Sequence, residues 1–236
     1  MKTERTHDKL YLKEDYKTNP KEYFKMVYKE MEKDWDVLKD KKILDIGCAT
    51  GDFLHYLRVK MPGAPLYGMD IMEELLLKVD DGIETFCANI ADSATLPEEK
   101  FDICTMMGVL SIFDNYEQVL DNVLSLLDKK KCLYLFSFLN PENLDVLVKV
   151  RNAEKHEVDR EETWEAGWNY ISKYSISNYC RSRNLSCEFL PFVVDFNIPK
   201  HFDDPLRTWT VECGNDLMVI NGLQMIQHFY LCKIHS

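Results

Sequence analysis

An apolar strand that runs through a glycine turn into an amphipathic helix limits a chain to folds in which a buried parallel strand feeds a crossover helix. That unit is Lys42-Ile-Leu-Asp-Ile-Gly-Cys-Ala-Thr-Gly-Asp-Phe53. Ile43, Leu44 and Ile46 read as the strand, Gly47 and Gly51 as the turn, and Phe53, Leu54 and Leu57 as the buried face of the helix. Glycine admits positive φ and leaves no Cβ to obstruct a ligand. The spacing therefore predicts a binding loop at the carboxyl end of the strand.

The charge in this loop narrows the ligand. A dinucleotide site needs G-x-G-x-x-G, so that helix-start amides meet a pyrophosphate. Here the pattern is Asp45-x-Gly47-x-x-x-Gly51, without the third glycine and with Asp52 at the helix start. Carboxylates there repel phosphate and favour a cation, which argues against a nicotinamide oxidoreductase. The segment resembles the cofactor motif of class I S-adenosylmethionine-dependent methyltransferases, whose cofactor carries a sulfonium and an ammonium and no phosphate.

Later strands follow the same order. The strand Pro65–Met69 ends in Asp70, about twenty residues after Gly51, where an acid bonds a ribose diol in both fold families. A third strand, Ile83 to Cys87, leads to Ala88-Asn89-Ile90, and a fourth, Phe101 to Met107, leads to Gly108. The resemblance implies that S-adenosyl-L-methionine, with S-adenosyl-L-homocysteine as product, meets Asp45, Gly47, Cys48, Ala49, Gly51, Asp70, Ile71, Asn89, Ile90, Met106 and Met107. Asn89 and Ile90 would lie against the adenine.

Strands and helices alternate up to a fifth strand, Cys132 to Leu139. This predicts an α/β, doubly wound sheet. The family resemblance extends it to seven strands, mostly parallel, Rossmann-like, with an antiparallel C-terminal strand. Residues 208–220 read as an added β-hairpin turning at Gly214-Asn215, and Leu223 to Ile234 as the last strand. Helices are expected from Asn19-Pro20, with Phe24, Val27, Tyr28, Met31 and Trp35 on one face, and from a capping box Asp114-Asn115-Tyr116-Glu117. Two more are expected from Asn140-Pro141 through Val148 and from Ser175 to Arg183, followed by a strand from Leu185 to Phe196.

With no repeat or low-complexity linker, residues 1–236 read as one domain. Residues 1–40 form a helical cap, 41–150 the cofactor-binding core, 151–222 the acceptor-specificity elements and 223–236 the last strand. Net charge is −11 and the first forty residues hold ten basic and ten acidic side chains, so nucleic acid is disfavoured as a partner. No apolar run approaches the roughly 20 residues of a membrane helix, and the N-terminus lacks a signal peptide's apolar core. A cytoplasmic location is expected, and the oligomeric state is left open between monomer and homodimer. The eight cysteines show no C-x-x-C and read as reduced thiols, and no metal site is expected.

A second resemblance covers nearly the whole chain. Asn140-Pro141, Gly167-Trp168-Asn169-x-x-Ser172, Asp204-Pro205-Leu206-Arg207-x-Trp209-Thr210 and Asn221-Gly222-Leu223 are similar, in that order, to methyltransferases of bacterial surface-polysaccharide (capsule and O-antigen) clusters. This implies an acceptor that is a small sugar, a sugar nucleotide or a phosphorylated or phosphoramidate precursor. Many small-molecule relatives carry histidine after the fourth strand, where this chain has Leu110, Ser111, Ile112 and Phe113.

A hydroxyl acceptor needs a base, whereas an anionic one needs arginine or lysine. His156 and His201 are the candidate bases, and His228 reads as a core residue. Trp168, Asn169, Tyr170 and Tyr174 either hold an acceptor ring or belong to the core. Arg207, with Arg181 and Arg183, either binds an acceptor phosphate or forms a solvated face. Tyr11 and Tyr16 either belong to a lid or to an ordinary surface extension. An O-methyltransferase is the leading expectation, and a small-molecule N-methyltransferase and a non-catalytic S-adenosylmethionine-binding protein remain as alternatives.

Overall fold

The computed structural model describes residues 12, 15–137, 139–151, 164–200, 207–221, 224–226 and 229–236. Tyr11, His156, His201 and His228 lie outside them. In chain order the elements begin with helix α1 (Glu22–Asp34), strand β1 (Ile43–Ile46), helix α2 (Asp52–Lys60) and strand β2 (Leu66–Asp70). Helix α3 (Glu73–Leu76), β3 (Glu84–Cys87), β4 (Ile103–Met107), α4 (Tyr116–Leu126) and β5 (Cys132–Ser137) follow. Short strands β6 (Leu139–Asn140), β7 (Lys149–Val150), β8 (Glu165–Ala166) and β9 (Ile171–Ser172) precede α5 (Lys173–Ser182) and β10 (Ser186–Phe192). The chain ends with β11 (Trp209–Cys213), β12 (Asp216–Asn221), β13 (Gln224–Ile226) and β14 (Phe229–His235).

Seven strands form one sheet in the order β10-β14-β5-β4-β1-β2-β3. All pairs from β5 to β3 are parallel, and β14 is antiparallel to both β5 and β10. The sheet is thus mostly parallel, with one reversed strand, as expected. β1 is central because every residue of it is buried, which suits a strand covered on both faces. On one face Leu44, Ile46, Met106 and Leu135 pack with Val119, Leu120 and Val123 of α4 and Ile176 of α5. On the other, Ile43, Ile103 and Tyr134 pack with Phe24, Val27 and Met31 of α1 and Leu54 and Leu57 of α2. β10 holds Pro191, which lacks an N–H, and it lies at the sheet edge where that donor is dispensable.

Several boundaries differ from expectation. The expected helix after Asn140 does not form: the segment runs from β6 to β7, with a bridge between Val146 and Tyr170. The Asn140 side chain accepts from Glu142 N (3.1 Å) and donates to the Leu144 carbonyl (2.8 Å), taking groups a helix would use. Leu144 and Leu147 are exposed, so no apolar face drives helix formation. α1 begins two residues after Pro20, with Lys21 at its cap. α5 is capped by Ser172, whose Oγ accepts from Tyr174 N (3.1 Å), rather than by Ser175.

The expected last strand is two strands in different sheets. β13 joins β11 and β12 in a small antiparallel sheet, and β14 enters the main one. β14 belongs there because Phe229, Tyr230, Leu231, Cys232 and Ile234 are buried.

Asp114 does not cap α4, whose N-cap Asn115 makes no side-chain bond. Its carboxylate instead pairs with Lys149 and accepts from Asn169 Nδ2 (3.0 Å). Burial opposes its ionisation, but these two partners hold the carboxyl below its ordinary range. Asn169, fully buried, also accepts from Val148 N (2.8 Å), and its own N–H donates to Ser111 O (2.7 Å). Replacing Asp114 by alanine strands the buried Asn169 amide, at a cost of about 1–3 kcal/mol. Urea denaturation of Asp114→Ala is expected to show that loss of stability with no change in m-value.

Candidate functional site

Both glycines of the loop after β1 have the positive φ that the spacing anticipates, +72° at Gly47 and +78° at Gly51. A Cβ on Gly47 would fall 2.3 Å from Val109 Cγ2, so the position admits only glycine. The loop is bound tightly to β2. Gly47 N and Cys48 N both donate to the Met69 carbonyl (2.7 and 3.1 Å), and Ala49 N donates to Asp70 Oδ2 (2.9 Å). Gly51 N closes a turn onto Cys48 O (2.9 Å). The amides of Gly47, Cys48, Ala49 and Gly51 are thus engaged within the protein.

Carboxylates face the site instead. Asp70 is anchored through both oxygens, Oδ1 accepting from Met72 N (3.0 Å). Asp45 is buried on β1, opposite Thr105 of β4, whose hydroxyl donates to it (2.7 Å). Burial raises the Asp45 pKa to about 7, the Thr105 bond opposing and the Asp70 charge adding to the shift. Asp52 begins α2, and one of its oxygens, Oδ1, is buried with no hydrogen-bond partner among the described residues.

These groups line one end of a cavity of about 1000 Å³. The other end lies beyond the carboxyl ends of β5 and β10 and the start of β14. There Phe136, Phe192 and Phe229 contact one another at ring separations of 5.5–6.4 Å, and Tyr23 of α1 stacks on Phe136 at 4.5 Å. Ser137, Asp195, Asn197 and Arg207 supply polar lining. The volume is at the upper end of the range of about 300–1000 Å³ for small-ligand sites, room for a nucleoside-sized cofactor and a second molecule.

Residues 16–24 close one side of the cavity. This strap is pinned through Lys17, whose Nζ bonds Asp80 Oδ1 (2.8 Å) and Lys78 O (2.9 Å). Asp80 also meets His55 Nδ1 (2.6 Å) and Arg58. Tyr16 therefore belongs to a cover over the site rather than to a free extension.

The family model of a methyltransferase domain matches residues 20–189. The chain belongs to that methyltransferase family. A curated relative from Haemophilus influenzae, described as an uncharacterized protein, is 28% identical over 36% of this chain and 37% of its own length. The chain thus covers little more than a third of that relative. Among solved structures, the plantazolicin methyltransferase BpumL, with a pentazolic desmethyl analog and SAH, superposes with a TM-score of 0.57 at 14% identity, covering 98% of this chain and 91% of that one. The Burkholderia thailandensis 1,6-didemethyltoxoflavin-N1-methyltransferase gives 0.53 at 13% identity, covering 98% and 83%. Both are likenesses of fold.

Of the cofactor-binding residues that the family resemblance implies, Asp45, Gly47, Cys48, Ala49, Asp70, Ile71, Asn89, Ile90 and Met107 line the cavity. Gly51 shapes the loop behind them. Met106 does not reach it: strand alternation turns its side chain into the core beside α4. Tyr16, Trp168 and Arg207 reach the cavity. Asn169 and Tyr170 do not, and Tyr174 is 59% exposed on α5 beside Glu142 and Ser175. Leu110 and Ser111 are buried, while Ile112 and Phe113 line the cavity.

Phe136, Ser137, Phe192, Phe229 and Tyr23 were not legible as site residues, because each sits in an apolar strand or helix pattern that reads as core. For the four on strands, the one sequence signal is position at the carboxyl edge of the sheet; Tyr23, on α1, carries none. Among the described residues no group of three or more histidine, cysteine or acidic side chains could hold a metal ion, and no helix is long and apolar enough to cross a membrane. All eight cysteines are free thiols.

The raised Asp45 pKa has a stability consequence. Its folded pKa of about 7 exceeds the unfolded value near 4, so the folded state holds the proton more tightly. Stability from this group is present below about pH 4 and declines as pH rises to about 7. Asp45→Asn is expected to lack that decline, as measured by urea midpoints of both proteins between pH 4 and pH 8.

Proposed function

We propose that this chain transfers a methyl group from S-adenosylmethionine to a small molecule. The observation that carries the proposal is the loop in which the amides of Gly47, Cys48, Ala49 and Gly51 are spent internally while Asp45, Asp52 and Asp70 line the adjoining cavity. Such a site disfavours the pyrophosphate of a dinucleotide and favours a cation joined to a ribose. The residues fit the cofactor. Asp70 stands on the cavity wall at the end of β2, the position where an acid meets a ribose diol in this fold, and Ala88, Asn89 and Ile90 offer a face for a base. When bound, S-adenosylmethionine supplies an activated methyl group for in-line displacement.

The protein's part is to hold the acceptor on the axis of the breaking bond and keep water out. The aromatic residues at the ends of β5, β10 and β14 suit a ring-bearing acceptor, since ring faces bury C–H surface. Arg207, which lines the same cavity, suits an anionic substituent.

With the resemblance to surface-polysaccharide methyltransferases, these features support O-methylation of a sugar, a sugar nucleotide or a phosphorylated or phosphoramidate precursor, in a cytoplasmic enzyme of one domain. An acceptor hydroxyl would need a base, and His156 and His201 are proposed for that role. A second reading is N-methylation of a planar heterocycle. It is favoured by the contiguous wall of Tyr23, Phe136, Phe192 and Phe229, and needs no dedicated base.

Transfer of radiolabelled methyl groups to a panel of sugar nucleotides, sugar phosphates and planar N-heterocycles separates the two. Labelling of none, with the cofactor firmly bound, would favour a non-catalytic binding protein. For the cofactor itself, Asp70→Ala is expected to raise the calorimetric Kd for S-adenosylhomocysteine at least about tenfold, because hydrogen bonds to a charged group contribute roughly 1.5–3 kcal/mol. An unchanged Kd would remove Asp70 from the site.

A further inference from the structure

On the reading of the cavity as the site of S-adenosylmethionine-dependent methyl transfer, we propose that the Ser137 hydroxyl selects the acceptor. It hydrogen-bonds one neutral heteroatom, a ring nitrogen or a carbonyl oxygen, of a planar ring seated at the inner, aromatic end of the cavity. Charged substituents of that ring lie toward the mouth.

Ser137 closes β5 opposite Tyr230 of β14 and lines the cavity. It is only 1% exposed, yet its Oγ has no hydrogen-bond partner among the described residues. A buried hydroxyl left unpaired carries its desolvation cost with nothing to offset it. The position is also fixed. Gly108 N donates to the Phe136 carbonyl (2.8 Å) and holds the end of β4 against β5, so the hydroxyl stands on a braced strand end.

The surroundings limit what this hydroxyl can meet. The other buried residues that line this end are Phe113, Phe136, Val194 and Phe229, all apolar. The charged and amide side chains that line it reach solvent: Asp195 and Asn197 are exposed and Arg207 is partly so. A planar ring with one hydrogen-bonding atom gives up one water bond here and regains it from Ser137, while its faces cover the aromatic walls. A sugar brings several hydroxyls, and most would lose their water bonds against four apolar side chains. The chemistry therefore belongs to a heterocycle rather than a sugar. A neutral hydroxyl donates one hydrogen bond and accepts others, so Ser137 holds and orients the ring and leaves its charge unchanged.

Three neutral probes test the assignment: quinoline, naphthalene, which has a C–H where quinoline has its ring nitrogen, and methyl α-D-glucopyranoside. Their dissociation constants are measured by saturation-transfer NMR titration of the full chain under saturating S-adenosylhomocysteine. Wild type is expected to bind quinoline more tightly than the glucoside. Ser137→Ala is expected to weaken quinoline about three- to tenfold, and to leave naphthalene unchanged or more tightly bound.

Equal losses for quinoline and naphthalene in Ser137→Ala, or no loss for quinoline, overturn the assignment. A glucoside that binds more tightly than quinoline overturns it too, as does a wild type that binds S-adenosylhomocysteine and none of the three probes; both leave the cofactor reading intact. A wild type that fails to bind S-adenosylhomocysteine overturns both. Thermal unfolding of ligand-free Ser137→Ala is expected to show a midpoint at or above wild type, since the change removes an unpaired buried hydroxyl. A lower midpoint would mean that the hydroxyl is already paired within the protein, and would overturn its role toward a ligand.

Discussion

Asp70 ties together the two loops on which the site depends, because its carboxylate accepts the N–H of Ala49 from one and of Met72 from the other. A charged acceptor makes these bonds stronger than neutral ones, and both donors are backbone, so loop geometry is held without relying on side-chain rotamers. The Met69 carbonyl adds two more bonds to the glycine loop. The outcome is a rigid acidic rim at the carboxyl edge of β1 and β2. Four amides of the loop behind it, those of Gly47, Cys48, Ala49 and Gly51, are already engaged within the protein.

The rest of the fold serves that edge in two halves. β1, β2 and β3 lead into the acidic residues and Ala88-Asn89-Ile90, and β5, β10 and β14 carry an aromatic set. β4 lies between β1 and β5 and contributes Met107 at its end. The reversed β14 matters here, because its first residue rather than its last reaches the carboxyl edge and places Phe229 beside Phe136 and Phe192. The strap from Tyr16 to Phe24 then closes over both halves, held at Asp80 by Lys17 and tied to Asp52 through the Tyr16 amide.

Legibility in the sequence followed the range of the interactions. The glycine loop, Asp70, and the order of strands β1 to β5 are local patterns, and each appears where its residues predicted. Failures came where a local signal met a competing partner. Asn140-Pro141 reads as a helix start, yet the Asn140 side chain bonds the following backbone and Leu144 finds no core to enter. Asp114 reads as a cap, yet Lys149 and Asn169, 35 and 55 residues away, claim its carboxylate. Tyr170 and Asn169 read either as ligand-facing or as core, and the loop that carries them folds back onto Ser111 and Val146.

What the sequence determined by itself was the α/β order, the glycine loop and the acidic character of its ligand site. These depend on residues close in sequence, on period-two and period-3.6 patterning, and on the restriction of positive φ largely to glycine. Tertiary structure alone decided which apolar residues line the second half of the cavity and which polar ones are absorbed into structural bonds. Phe136 and Met106 show why. Both belong to buried strands of the same sheet, and only the side to which each points and the end of the strand on which it sits separate a cavity wall from a core.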